Sequence, residues 1–162
     1  MTEANAIITT DMFYAHWAGH RRLTRRVIEA FPEDKLFTFT AAPPMRTFGE
    51  IMNEVLGMVA PTLTGLETGK WESDFTHLKG PERPADKATL LAAWDATTAV
   101  IEEIGPRIAP SRFAQVESAF GLPAQPNIDL IWYLLDNEIH HRAQGYVYLR
   151  ALGIEPPAFQ ER

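Results

Sequence analysis

The segment NIDLIWYLLDNEIHHRAQGYVYLRAL, from Asn127 to Leu152, is followed by Gly153 and then Pro156-Pro157, and its reading decides the fold. On a helical wheel Ile131, Leu134, Leu135, Leu149 and Leu152 gather on one side, the mark of a helix that buries one face. Gly153 supplies a C-terminal cap, and the two prolines forbid continuation. Glu138 and Arg142 fall inside the apolar stripe. They stand four residues apart with the glutamate first, the favourable order for a helical ion pair. A lone buried charge is costly, so the spacing predicts that they satisfy one another or a partner on another helix. His141 lies on the edge of the stripe with Asn137 one turn earlier, whereas His140 projects away from the core.

Three further helices are read outward from this one. The first spans about Ile8 to Ala30, with Met12, Phe13, Trp17, Leu23, Val27 and Ile28 as its apolar stripe, and Pro32 stops it. The second opens on Thr47-Phe-Gly-Glu50, a capping-box pattern, and runs through Ile51, Val55, Met58 and Val59 towards Leu66. Pro61 is expected to kink it or end it early. A polar connection with Gly69, Gly80, Pro81 and Pro84 follows. The third helix takes Asp86 as N-cap, continues through Leu90, Leu91, Trp94, Ala99, Val100 and Ile101 to Ile104, and ends at Gly105-Pro106. Residues 107–126 are too short and broken for another long helix. Phe37-Thr-Phe-Thr40 alternates, but Pro43 and Pro44 follow and a lone short strand has no partner. The expected fold is all-α, one domain over residues 1–162, a four-helix bundle with a crossover connection.

Composition narrows the function classes. A net charge of −6 argues against a broad surface for nucleic-acid phosphates. The local run Arg21, Arg22, Arg25 and Arg26 reads as a solvated helix face. The absence of cysteine excludes disulfides, thiolate metal sites and a cysteine nucleophile. No uncharged apolar stretch approaches the ~20 residues needed to span a bilayer. Met1 to Thr10 carries Glu3 and no basic stretch before an apolar run, so a cytoplasmic location is expected. His16 and His20, four apart beside Trp17, form a second candidate pair. They are placed to share a metal, to meet Glu54 across the bundle, or to make a partly exposed aromatic and histidine face.

The stretch NEIHHRAQGYVYLRALGIEPP resembles the final helix of DinB-like proteins, the DinB/YfiT family. The usual pattern there is His-x-x-His-His-Arg-Gly-Gln, a tyrosine-leucine-arginine stretch, and Gly-x-x-Pro-Pro. Met45-Arg-Thr-Phe-Gly-Glu50 is similar to that family's entry to its second helix, and Tyr14-Ala-His-Trp17 to its first-helix aromatic motif. The resemblance implies an up-down-down-up bundle, often a homodimer. It also implies a divalent metal, commonly nickel or zinc, on three histidines. Carried over by position, these ligands are Glu54, Asn137 and His141, of which His141 alone is a histidine.

That departure makes the site degenerate. A Glu/Asn/His set is harder than three imidazoles, so it favours manganese or iron over nickel or zinc, or weak or no metal. Glu54, flanked by Ile51 and Met58, is placed equally well to pair with His141 directly. Glu138, Arg142 and Gln144 would support the ligands, and Trp17, Trp132 and Tyr148 would line an apolar pocket or belong to the core. Two functions are expected to compete. One is a metal-dependent thiol transferase or hydrolase-type enzyme with an altered site. The other is a non-catalytic dimeric bundle that has lost its metal and binds a small molecule or a protein. Neither a nucleic-acid nor a membrane partner is expected.

Overall fold

Each long helix starts and stops on chemistry written next to it. In the computed structural model, which describes residues 7–71 and 83–162, α1 spans Thr10–Ala30 and is capped by the Thr9 side chain accepting from the Met12 amide. α2 spans Phe48–Thr68 and has the full capping box: the Glu50 amide donates to Thr47 Oγ1 and the Thr47 amide to Glu50 Oε2. α3 spans Lys87–Ile104, with Asp86 accepting from the Thr89 amide. It passes into a 3₁₀ turn, Gly105–Arg107, and a four-residue helix α4, Pro110–Phe113. The last helix, α5, spans Asn127–Ala151. Gly153 at φ +75° closes it: the Gly153 amide donates to Arg150 O and the Ile154 amide to Leu149 O, a Schellman motif.

Side-chain pairs fix the topology. Arg21 meets Trp94 and Lys87 meets Phe31, so α1 and α3 are antiparallel. Trp17 meets Glu138 while His20 meets Arg142, so α1 and α5 are parallel. Phe31 stacks on Phe48, placing the start of α2 at the end of α1. The order is up-down-down-up, with α1 and α2 each packed on α3 and α5 across the four sides of the bundle. Among the described residues no helix is long and apolar enough to cross a membrane.

Several expectations need correction. α2 continues through Pro61 to Thr68 instead of ending early. Val59, Thr62, Leu63 and Leu66 are buried around the proline, and that packing holds the turn despite the missing N–H. Met12 is 57 % exposed and leaves the apolar stripe. Of the four arginines on α1, Arg21 is not solvated: it is buried over the Trp94 ring, 3.4 Å from its centre. A two-residue antiparallel ribbon, β1 Val116–Glu117 with β2 Gln125–Pro126, adds strand where none was expected. Gly80 and Pro81 of the α2–α3 connection, and Glu3, lie outside the described residues.

Most of the core falls into two apolar halves, with a small third cluster of Ala119, Phe120 and Leu130 beside them. Val27, Phe31, Phe48, Met52, Trp94 and Tyr148 belong to one half, and Phe13, Trp17, Leu63, Ile101, Ile131 and Leu135 to the other. Polar side chains of α1, α2 and α5 lie near the level where the halves meet.

Candidate functional site

α5 carries two polar faces at this level. Towards α1 it presents Glu138 and Arg142. Their direct contact, Arg142 to Glu138 Oε1, is a loose 3.9 Å, so the expected i,i+4 pair is the weakest part of the arrangement. Glu138 is held from α1: Trp17 Nε1 donates to Oε2 at 3.1 Å, Thr24 Oγ1 donates to Oε1 at 2.7 Å, and Arg21 lies 3.6 Å from Oε2. Arg142 donates to Thr24 Oγ1 and to His20 Nδ1. Glu138 and Arg142 therefore do not support His141. They join α5 to α1.

Towards α2, α5 presents Asn137 and His141, both buried. His141 Nδ1 is 3.0 Å from Gln144 Oε1, and the Gln144 amide nitrogen is 3.3 Å from His140 Nε2. Gln144 thus accepts the Nδ1 proton and turns Nε2 towards α2, where Glu54 Oε1 stands 3.3 Å away. The other Glu54 oxygen takes the Arg46 guanidinium at 2.5 Å. Burial pushes the Glu54 carboxyl up, but Arg46 and His141 outweigh it and hold the group below its ordinary value. The Tyr148 hydroxyl donates to Arg46 O at 2.7 Å and fixes the strap that carries this arginine.

The structure thus brings Glu54 and His141 into contact and puts Asn137 one turn earlier on the same helix. Asn137 Oδ1 is buried without a hydrogen-bond partner. The donor set does not fit a tightly bound nickel or zinc ion. It offers one imidazole nitrogen, a weak amide oxygen, and a carboxylate already neutralised by a guanidinium that would repel a cation. Among the described residues no three His, Asp or Glu side chains converge to hold a metal. Glu138, wholly engaged by α1, gives no help.

Next to Glu54 a cleft of about 630 Å³ opens between α2, α5 and the 120–125 loop. Arg46, Glu54, Arg83 and Asp129 supply its charge, and Met58, Phe120, Leu130 and Tyr133 its apolar wall. Trp17 and Tyr148, expected as possible pocket residues, are fully buried core residues. Trp132 lines a separate groove beside the start of α1. His16 and His20 face the α1–α5 side and do not meet Glu54; His20 Nε2 lies 3.1 Å from His16 Nε2. Sequence reasoning missed Arg46 as a site residue, although its place just before the Thr47 cap puts it at the mouth of the α2–α5 seam. It also missed Arg21 as inward-facing, and for His20 it offered Glu54 across the bundle instead of Arg142 of α5. The spacing 13, 17, 20/21, 24, 27/28 on α1 carried that signal.

Fold and site define an up-down-down-up four-helix bundle with a polar seam between α2 and α5. The whole chain, residues 1–162, matches the DinB family, and the protein belongs to it. The uncharacterized protein YjoA of Bacillus subtilis (strain 168) is 24% identical over 164 residues, covering 100% of this chain and 99% of its own. The crystal structure of the DinB-like YjoA superposes with a TM-score of 0.70 at 21% identity, over 92% of this chain and 97% of that one. A DinB-like protein from Bacillus cereus ATCC 10987 gives 0.70 at 19% identity, over 91% and 95%. These likenesses speak for the fold.

Proposed function

We propose that this chain is a DinB-family protein that binds a small molecule in the α2–α5 cleft without a tightly held nickel or zinc ion. One observation carries the reading: both oxygens of Glu54 are engaged, one by Arg46 and one by His141. In this reading the Arg46 guanidinium and the edge of the His141 ring occupy the side of the carboxylate where a metal would otherwise sit. A Glu54 carboxyl held below its ordinary value is a weak proton acceptor, so the reading assigns it to ligand orientation and not to general-base work. Assembly as a homodimer and a cytoplasmic location belong to the same proposal.

A metal-dependent thiol transferase or hydrolase is the second reading. The buried Asn137 Oδ1 without a partner favours it, because a weakly held cation such as manganese would satisfy that oxygen. Elemental analysis of protein purified without added metal, for wild type and His141→Ala, separates the two. The first reading expects substoichiometric metal in both and no saturable uptake of nickel, zinc or manganese. Stoichiometric metal lost in His141→Ala overturns it. A dye such as anilinonaphthalene sulfonate should bind the cleft in wild type and be displaced by Leu122→Trp, which narrows the mouth. Light scattering checks the dimer.

A further inference from the structure

The α1 side of α5 holds a second, open cleft of about 820 Å³, bounded on one side by the segment after Gly153. That segment is fastened: Tyr146 donates its hydroxyl proton to Pro157 O at 2.8 Å, Arg26 pairs with Glu161, and Arg162 packs against Gly19. Arg142, Arg150 and Arg162 line the cleft against one acidic side chain, Glu155, so its side chains are predominantly cationic in a chain of net charge −6.

Hydrogen-bond polarity at its inner end is unusual. Arg142 lies 2.9 Å from His20 Nδ1. A guanidinium has no acceptor, so Nδ1 must accept, and the single proton of neutral His20 sits on Nε2. Burial, with Arg142, Arg162 and His16 nearby, pushes His20 down to about 4, which keeps the ring neutral. That Nε2–H points to His16 Nε2 at 3.1 Å and also faces the Arg162 guanidinium at 3.3 Å. The Arg162–His20 approach is therefore donor against donor, with no acceptor between them.

Two imidazole nitrogens this close invite a metal reading, but two features decide against it. The lone pair of His20 Nε2 is replaced by a proton that Arg142 keeps there, and two guanidiniums stand at the site. The same features suit an anion. Beyond the charged end, the wall is apolar: Ile139, Val147 and Phe159, with Val147 58 % and Phe159 65 % exposed.

We propose that the α1–α5 cleft binds an amphipathic organic oxyanion, its carboxylate or phosphate head accepting from Arg162 and His20 Nε2, its apolar body lying along Ile139, Val147 and Phe159. The head group supplies the acceptor that Arg162 lacks and competes with His16 Nε2 for the His20 Nε2–H, and the body covers the exposed apolar residues. This site is separate from the Glu54–His141 seam, and its fate does not depend on the reading given for that seam.

The test uses the full chain, octanoate and phenyl phosphate as probes, isothermal titration for binding, and long-range ¹⁵N imidazole spectra for His16 and His20. At least one probe should saturate one site per chain and shift both rings, and the stronger of the two identifies the head group. Arg162→Ala should weaken it about tenfold, the loss of one charge-assisted hydrogen bond. Val147→Asp, on the exposed face of α5, should weaken it by a similar factor while leaving the circular dichroism unchanged. Inorganic phosphate, which lacks the body, should bind at least about tenfold more weakly than phenyl phosphate. The proposal is overturned if neither probe moves the two rings at about 10 mM, a concentration that would detect even a weak site. It is equally overturned if zinc shifts and binds them while both anions do not.

Discussion

His20 shows how one residue links burial to a measurable pH response. It is 2 % exposed, accepts from Arg142 and donates towards His16. Its ordinary value of 6.5 drops to about 4 in the folded protein, through burial first and then the nearby cations. The unfolded chain therefore takes up this proton as the pH falls through 6.5, while the folded chain resists until about 4. Over that window the unfolded state binds more protons, so stability falls as pH is lowered from 6.5 to about 4 and then levels off for this group. In His20→Gln the amide oxygen can still accept from Arg142, but nothing titrates there. Urea midpoints measured across that window should fall less steeply in the variant than in wild type. Equal slopes would show that the ring is protonated inside the bundle.

At the scale of elements, the helix limits were legible because capping is local. Thr47 with Glu50, Asp86, and Gly153 act within four residues of themselves, so their pattern survives without tertiary knowledge. Contacts across the bundle were not legible, because register between helices decides them. Glu138 was expected to pair with Arg142 or with a partner on another helix that periodicity could not name; its closest partners, Trp17 and Thr24, come from 121 and 114 residues away. The Glu54–His141 contact was anticipated as one alternative. The Arg46 contact that changes its meaning was not, since Arg46 precedes α2 and only the folded strap brings it back. The α2–α5 seam also rests on a close approach that periodicity cannot express. Gly145 faces Phe48, and an ideal Cβ there would lie 2.5 Å from the ring. Gly145→Ala gains about 1 kcal/mol in helix propensity. Over-packing costs about 1–3 kcal/mol and should win, because Phe48 is fully buried and stacked on Phe31. A lower urea midpoint with unchanged helical content is the expected outcome, and a raised midpoint would mean that Phe48 can move aside.

For the molecule as a whole, the polar layer between the two apolar halves poses an energetic question. Arg21, Glu138 and Arg142 are buried together, two guanidiniums against one carboxylate, with Trp94 stacked on Arg21 and Thr24 bridging the other two. Burial lowers the Arg21 guanidinium to about 10, with Glu138 opposing the shift, so desolvation outweighs the partner. Such a layer adds little net stability over an apolar one, because the attraction largely offsets the loss of hydration. Removing one member differs from removing all. Glu138→Ala leaves two unpaired buried cations and should cost about 3–5 kcal/mol in urea unfolding. The combined Arg21→Met, Glu138→Leu, Arg142→Met variant leaves no charge behind and should fall within about 1–2 kcal/mol of wild type, or exceed it. What the combined variant should lose is register, because Glu138 ties α5 to Trp17 and Thr24 at one level of α1 and an apolar surface permits several. Broadened amide spectra and weaker near-ultraviolet circular dichroism, with stability retained, would show that the layer aligns the helices. A combined variant as unstable as Glu138→Ala would instead make the layer a source of stability.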